Sequence, residues 1–454
     1  MTHTLPAGTP ADHDVDSRGV SAFLDAVEAA PNIEPHSLLV LRHGHQVAAG
    51  WWAPYRADRP YMLYSLSKSF TSTALGLALD EGLLRLDDRV VDFFPEYREL
   101  ATDPGTRAMR VRHLASMSTG HTRDTWDEVE SDPGDPVRAF LRLAPDREPG
   151  TVFAYNQPAT YTLGAILQRL TGTTLAGYLR PRLFDPLGID AATWQQDAAG
   201  RDLGFIGLFL TTDAIARLGE LYLRRGVWQG RRILSEDWVA AATRPQIPTT
   251  GEQNPDWAQG YGFQFWMSRH GFRGDGAFGQ FCLVLPEQDA VVAYTGATVE
   301  MQAVLDLVWR HLLPAFGTRG SAADDAALAA RLGNLALPPV PSGDPRPGTW
   351  SLSPAGAGAT PLTEVVVRDG EIVLREPGTE LRLPLVPGRW TVADEPVPVA
   401  VSGGWADGTH LAVDLLFLHA PHRLSVTADV DAGTFDAHWA ATPLLPPSLR
   451  LLRA

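Results

Sequence analysis

The chain has 454 residues, of which 44% are hydrophobic, and a formal net charge of −15 at pH 7. This length and composition suit one large globular domain with a buried core plus a smaller appended one. The acidic balance argues against nucleic acid and membrane surfaces as partners, because no basic stripe is present to neutralise phosphates. The single cysteine, Cys282, excludes an internal disulfide, and its apolar surroundings predict an inert core thiol.

The first predicted elements are a tail and a hairpin. Residues 1–18 are polar and rich in Gly, Pro and Asp, which is typical of a disordered tail. Because they contain no secretory signal, and the chain contains no transmembrane stretch, we expect a cytoplasmic protein. Residues 37–40 and 46–52 read as two strands around His43-Gly44-His45, which we interpret as a tight turn rather than a metal site.

A helix is predicted next, beginning near Ser65. Apolar residues recur there at spacings of four, four and three, and a glycine follows as a stop signal. The residues concerned are Leu66, Phe70, Ala74, Leu77 and Gly82. A spacing of three places Ser65 and Lys68 on one face of this helix, whereas Ser67 points about 100° away.

Lys68 is the only lysine in the chain, and every other basic side chain is arginine or histidine. Arginine keeps its proton near neutral pH, but a buried lysine can lose it and act as a general base. A neutral amine one turn from a serine hydroxyl can remove its proton during nucleophilic attack. The spacing therefore predicts Ser65 as nucleophile and Lys68 as its base.

A second helix is predicted from Pro158 to a stop at Gly172, and Tyr155 lies just before it. A tyrosine near the nucleophile could pass a proton to the leaving group, while Asn156 and Gln157 offer amide hydrogen bonds. The alternative from the residues alone is that Tyr155 is a core aromatic and Asn156 a helix cap.

The remaining segments divide the chain into two domains. Helical patterns dominate to about residue 244, and strand patterns return at 262–266, 278–285 and 290–294, which predicts one sheet formed by both ends of a domain spanning 19–335. A proline-rich linker follows at 336–345. Residues 346–454 then alternate as strands, with a hairpin at Asp369-Gly370, and form a β-rich accessory domain. His419 and His422 lie near a turn there, without evident ligand partners.

Four motifs together resemble the serine β-lactamase-related family, whose class C branch includes family VIII carboxylesterases and D-aminopeptidases. They are Tyr64-Ser65-Leu66-Ser67-Lys68-Ser69, Val111-Arg112-His113-Leu114 to Gly120, Tyr155-Asn156-Gln157, and Gly207-Leu208-Phe209-Leu210-Thr211-Thr212. Their order and spacing match over roughly residues 20–315. The resemblance implies an α+β fold of the penicillin-binding-protein type, in which an antiparallel sheet flanked by helices is joined to a helical subdomain.

The resemblance also implies roles for individual residues. Ser65 would form an acyl-enzyme, Lys68 and Tyr155 would transfer protons, and the oxyanion would lie between the backbone N–H groups of Ser65 and Gln280. No metal and no cofactor is implied. Two departures stand out: Asn156 and Gln157 share the place where the family usually has Tyr-x-Asn, and the third motif, Ala277-Phe278-Gly279, lacks the usual Lys or His.

We therefore expect a serine hydrolase of the carboxylesterase type that acts on a small-molecule substrate, either an ester, a lactone or an amide. A missing cation in the third motif disfavours substrates that carry a carboxylate. Two alternatives remain at this stage. One is acyl transfer to a small-molecule acceptor, and the other is a non-catalytic binding protein on the same fold.

Overall fold

The computed structural model describes residues 5–132, 134–344, 346–356, 360–444 and 448–449. The strands of its larger, N-terminal domain are β1 (Glu34–Arg42), β2 (His45–Trp51), β3 (Tyr61–Met62), β4 (Thr193–Trp194), β5 (Leu208–Leu210), β6 (Val227–Trp228), β7 (Arg231–Arg232), β8 (Trp266–Met267), β9 (Phe272–Gly276), β10 (Gln280–Leu285) and β11 (Ala290–Ala297). Six of them form an antiparallel sheet in the order β2-β1-β11-β10-β9-β8. The pairing of β1 with β11 confirms that both ends of the domain build one sheet.

Helices cover both faces of this sheet. They are α1 (Ser17–Ala29), α2 (Ser67–Asp80), α3 (Pro104–Ala108), α4 (Val111–Ala115), α5 (Trp126–Glu130), α6 (Pro136–Arg142), α7 (Gln157–Thr171), α8 (Leu175–Leu179), α9 (Asp185–Leu187), α10 (Thr212–Leu223), α11 (Glu236–Ala242), α12 (Met301–Leu307) and α13 (Ala322–Leu332). Because side chains alternate along a strand, Leu38 and Val40 of β1 face the core under α1, α12 and α13, while Leu39 and Leu41 face the core that contains α2 and α10. The expected α+β fold, with helices on both sides of the sheet, is confirmed.

Helix α2 is more deeply buried than its apolar stripe predicts. Every side chain from Ser67 to Ala78 is buried, including the polar ones. Their hydroxyls are hydrogen-bonded inside the protein: Thr71 donates to the Gly204 carbonyl at 2.7 Å and Ser72 to the Phe263 carbonyl at 2.6 Å. Buried hydroxyls are costly without such partners, so these contacts allow a polar helix to occupy the centre of the domain.

The accessory domain is a sheet of nine strands that curls until its two end strands contact each other. They are β12 (Trp350–Pro354), β13 (Glu364–Arg368), β14 (Glu371–Glu376), β15 (Thr379–Pro384), β16 (Thr391–Ala393), β17 (Val399–Trp405), β18 (His410–Phe417), β19 (His422–Asp429) and β20 (Thr434–Trp439). Strands consecutive in sequence lie side by side, β15 contacts β16, and β12 pairs with β20. An odd number of alternating strands makes the first and last parallel, as β12 and β20 are. The β-rich domain is therefore a small barrel with an apolar interior.

Two segments predicted to lack regular structure are anchored to these domains. Residues 1–18 were expected to be disordered; of these, 1–4 lie outside the described residues. The backbone near Ala7 instead pairs with β2, where Gln46 exchanges hydrogen bonds with Pro6 and Gly8 at 2.8 and 3.0 Å, and α1 already begins at Ser17. The predicted linker, 336–345, lies between α13 and β12, and its residue 345 is outside the described part. It is hydrogen-bonded to both domains: the Leu337 N–H donates to the Ala53 carbonyl of the first domain, and the Val340 N–H donates to the Ser402 hydroxyl of the accessory domain.

Candidate active site

The predicted nucleophile lies on a tight turn at the centre of the N-terminal domain. Strand β3 leads into a 3₁₀ turn at Tyr64–Leu66, which continues directly into α2. Ser65 is half-buried on this turn, and Lys68 is almost fully buried one turn later. The distance from Lys68 Nζ to Ser65 Oγ is 3.0 Å, so the spacing of three residues does bring the two groups into hydrogen-bonding contact.

The amine of Lys68 is fixed by two further oxygen atoms. It lies 2.7 Å from Gln157 Oε1 and 3.0 Å from the Phe205 carbonyl oxygen. Burial lowers the pKa of Lys68 from 10.5 to about 7, although the carboxylates of Asp124 and Asp275 act in the opposite direction. Near neutral pH a large fraction of this amine is therefore unprotonated and able to accept the Ser65 proton.

The ring of Tyr155 also contacts the Lys68 amine. The Lys68 Nζ atom is 4.7 Å from the centre of the Tyr155 ring, which stacks on Trp266 at 5.4 Å. Burial raises the pKa of the Tyr155 phenol, and a hydrogen bond with Ser65 opposes this rise. Because the phenol keeps its proton at neutral pH, it suits the donation of a proton to a leaving group. The structure thus brings Ser65, Lys68 and Tyr155 together.

The two amides assigned to the second motif have different surroundings. Gln157 starts α7 and accepts a hydrogen bond from Lys68, while its backbone N–H donates to Asp124 Oδ1 at 3.0 Å. Asn156 is fully buried, and its Oδ1 accepts hydrogen bonds from the N–H and hydroxyl of Thr125 at 2.9 and 3.0 Å. Gln157 therefore lies in the site, whereas Asn156 holds the neighbouring loop in place.

The opposite wall of the site is formed by β9. A Cβ atom on Gly276 would lie 2.0 Å from the Leu63 carbonyl oxygen, and one on Gly274 would lie 2.4 Å from Leu66 Cδ1. Glycine at both positions lets the strand pack directly on the nucleophile turn. Sequence reasoning missed this close approach, although glycines at alternate positions of a strand are a recognisable signal.

Gly279 and Gln280, predicted for the oxyanion site, lie at the turn after this wall. Residues 277–279 connect β9 to β10, with Gly279 at φ 92°, and Gln280 pairs across the hairpin with Gly276. The Gln280 side chain is buried and donates to the carbonyls of Ala277 and Gly296 at 3.1 and 2.9 Å. The side-chain amide of Gln280 therefore stabilises the turn between β9 and β10.

A buried ion pair on β9 was also missed. Arg273 Nε lies 2.9 Å from Asp275 Oδ2, and both side chains are buried. Arg273 Nη1 also donates to the Ser268 hydroxyl at 2.6 Å, and the guanidinium lies 4.2 Å from the centre of the Trp257 ring. Strand β9 therefore carries a cation, but the Arg273 guanidinium is buried and paired with Asp275, so it does not face a substrate. Residues two apart on a strand share a face, so the pair could have been inferred once β9 was recognised.

The described residues contain no group of three or more His, Cys, Asp or Glu side chains arranged to hold a metal ion. In the same part of the chain, none of the helices combines the length and apolar character required to cross a lipid bilayer.

Comparison with known proteins identifies the family of this chain. The family model described as Beta-lactamase matches residues 22–313, which is more than half of the sequence. The chain belongs to the β-lactamase family. Proteins similar to it include esterases, a 6-aminohexanoate-dimer hydrolase and β-lactamases, so the family is one of hydrolases.

Two relatives are similar over most of their own length. The 6-aminohexanoate-dimer hydrolase of Paenarthrobacter ureafaciens is 28% identical over 279 residues, covering 56% of this chain and 71% of the relative. Penicillin-binding protein 4 of Amycolatopsis lactamdurans is 28% identical over 347 residues, covering 66% and 86%. Among solved structures, the octameric penicillin-binding protein homologue from Pyrococcus abyssi has a TM-score of 0.51 at 18% identity and covers 91% of this chain and 98% of its own. That likeness concerns the fold and extends into the accessory domain.

Proposed function

We propose that this protein is a serine hydrolase that forms an acyl-enzyme at Ser65 and acts on a small, uncharged ester, lactone or amide, with esters preferred. The observation that carries the proposal is the contact of 3.0 Å between Ser65 Oγ and a buried lysine amine whose pKa is lowered to about 7. A nucleophile paired with a base of matched pKa is what acyl transfer to serine requires.

In the proposed acylation step, Ser65 Oγ attacks the substrate carbonyl carbon while its proton passes to the Lys68 amine. The backbone N–H groups of Ser65 and Gln280 hold the oxyanion of the tetrahedral intermediate. The C–O bond to the leaving group then breaks, and the alkoxide takes a proton from the Tyr155 phenol, which Lys68 reprotonates. This leaves an ester of Ser65 and a free alcohol.

Deacylation reverses these roles. A water molecule attacks the acyl carbon as its proton passes to Lys68 through Tyr155, and the second oxyanion is held by the same N–H groups. Ser65 leaves as its oxygen regains a proton from Lys68. The products are a carboxylic acid and the original enzyme. Gln157 keeps the amine oriented between Ser65 and Tyr155 in both steps.

The charges around the site support an uncharged substrate. Asp124 and Asp275 are the ionisable groups whose charge acts on Lys68, and both are acidic. Strand β9, which forms one wall of the site, carries one cation, Arg273, and this guanidinium is paired with Asp275. A substrate carboxylate would meet repulsion here without a compensating partner, which disfavours β-lactam and D-alanyl peptide substrates.

A fluorophosphonate probe and a chromogenic short-chain ester test the proposal together. We expect one probe adduct, located on Ser65 by peptide mass spectrometry, and ester turnover that Ser65→Ala abolishes. Ser67→Ala is the matched control, since its hydroxyl accepts a hydrogen bond from the Leu208 N–H and lies outside the site. A folded protein that forms no adduct would refute the proposal. Product analysis with added alcohols separates hydrolysis from acyl transfer, and an adduct without ester turnover would indicate a binding protein.

A further inference from the structure

The accessory barrel reaches the nucleophile turn through the connection between β18 and β19. His419 lies in this connection, and its carbonyl accepts the Met62 N–H at 2.8 Å. Its ring stacks on Phe209 of β5 at 5.9 Å. Since β5 pairs with β3 on the other edge, the strand that leads into Ser65 is bound on both sides, once by its own domain and once by the accessory domain.

His422, the first residue of β19, continues this contact to the turn itself. Its Nδ1 lies 2.9 Å from the Ala441 carbonyl oxygen, and its Nε2 is hydrogen-bonded to the Tyr64 hydroxyl. A carbonyl only accepts, so Nδ1 carries the proton, Nε2 is the acceptor, and the Tyr64 hydroxyl donates. Burial lowers the pKa of His422 to about 4, which keeps this neutral tautomer at neutral pH. Tyr64 is the residue directly before Ser65.

Tyr64 and Phe278 share an unusual backbone conformation. Tyr64 has φ 49° and Phe278 has φ 68°, which bulky side chains rarely adopt. Their rings meet edge to face at 5.1 Å, and His422 lies 5.8 Å from the first and 5.3 Å from the second. Such conformations persist only where the surroundings hold them. One accessory-domain side chain thus contacts both strained residues.

These two residues flank the proposed oxyanion site. Tyr64 precedes the Ser65 N–H, and Phe278 lies in the turn that leads to Gln280. Building on the proposed function, we propose that His422 is a positioning residue, which holds Tyr64 and Phe278 so that the two oxyanion donors converge. The accessory domain then completes the active site of the catalytic domain without contacting the reacting atoms.

The full-length variants His422→Phe, His422→Gln and Tyr64→Phe test this role. Phenylalanine keeps the ring but removes the acceptor, whereas a glutamine oxygen can still accept from Tyr64. We expect His422→Phe and Tyr64→Phe each to lower kcat by roughly 10- to 100-fold with KM within about twofold, because a misplaced donor weakens only transition-state contacts. His422→Gln should recover most of the loss. His410→Gln, which changes an exposed histidine on β18, is the control and should leave kcat unchanged.

A second measurement separates positioning from a general loss of structure. A boronic acid that mimics the tetrahedral intermediate should bind the His422→Phe variant more weakly, by the same factor as kcat falls. The double variant with His422→Phe and Tyr64→Phe should lose no more kcat than either single variant. If His422→Phe does not fold, Tyr64→Phe and His422→Gln carry the same comparison. Unchanged kcat in folded Tyr64→Phe and His422→Phe, or His422→Gln no better than His422→Phe, would overturn the positioning role. Loss of the Ser65 adduct in the wild type would instead overturn the proposed function.

Discussion

The protonation of Lys68 is the most direct test of the chemistry. At pH 7 a free lysine, with a pKa of about 10.4, is neutral in roughly one molecule in 2,500, whereas a pKa of about 7 makes half of the molecules neutral. Burial therefore raises the supply of the active base about a thousandfold. Because only the neutral amine accepts the Ser65 proton, we expect kcat/KM for an uncharged ester to rise with pH through about 7 and to level off above it.

The solitary lysine makes the assay clean. Protein grown with lysine labelled with ¹⁵N at Nζ has one side-chain amine signal, and its chemical shift can be followed from pH 5 to 10. The midpoint should coincide with the midpoint of the kcat/KM profile. A signal that titrates near 10.4, or a kcat/KM that does not change between pH 6 and 8, would refute the assignment of Lys68 as the base. Lys68→Arg keeps a positive charge but cannot act as a base, and should abolish acylation.

The same pKa fixes the sign of a stability effect. The folded protein binds fewer protons at Lys68 than the unfolded chain between pH 7 and 10.4, so its contribution to the free energy of unfolding falls as the pH drops through that window. At pH 7 this cost is on the order of 4 kcal/mol, because the pKa lies roughly three units below that of a free lysine. Lys68→Met binds no proton at this position, so its free energy of unfolding in urea should depend less on pH between 7 and 10 than that of the wild type, while activity is lost; equal pH slopes for the two proteins would contradict the lowered pKa of Lys68.

Three further predictions concern the walls of the site. Gly276→Ala places a methyl group against the Leu63 carbonyl and should lower kcat by at least about tenfold, whereas Gly251→Ala, with no atom within 4 Å, should leave it unchanged in the same ester assay. Gln157→Ala should lower kcat by about tenfold at nearly constant melting temperature, while Asn156→Ala should cost about 1–3 kcal/mol in urea denaturation; the reverse pattern would contradict the assigned places of these amides. A succinate monoester should react at least about tenfold more slowly than the matching butyrate ester, and equal kcat/KM values would remove the electrostatic argument.

The contact between Ser65 and Lys68 was predictable from the sequence because its geometry is local. A spacing of three on a helical segment fixes the contact between Ser65 and Lys68 without reference to the rest of the chain. The sheet built from both ends of the domain followed from strand patterns of the same local kind. Tyr155 needed the family resemblance, since a lone tyrosine before a helix is more often a packed core aromatic.

The surroundings of the Ser65–Lys68 pair could not be predicted, because they depend on contacts between distant segments. Which amide of Asn156 and Gln157 faces Lys68 is decided by the hydrogen bonds of Asn156 with Thr125, thirty-one residues away. The burial of Arg273 depends on Trp257 and Ser268 packing around it, and neither contact leaves a periodic signal in the sequence. The third motif itself contains no Lys or His, and the one cation of β9, Arg273, precedes it and is paired with Asp275.

The contacts of the accessory domain also join distant segments and could not be predicted from the sequence. They explain why this domain would hold a fixed position relative to the active site. Arg423, next to His422, lies 2.5 Å from Glu34 Oε2, and Glu34 in turn bonds to His36 at 2.9 Å. The other ring nitrogen of His36 accepts from the Tyr61 hydroxyl at 2.7 Å, at the start of β3. Two routes therefore run from neighbouring residues of β19 to the segment that leads into Ser65, one to Tyr61 of β3 and one to Tyr64 of the turn, and all of their links are buried or partly buried. A rotation of the barrel would break both routes and leave charged groups unpaired in the interior, so the energetic cost of moving it is also the cost of disturbing the nucleophile.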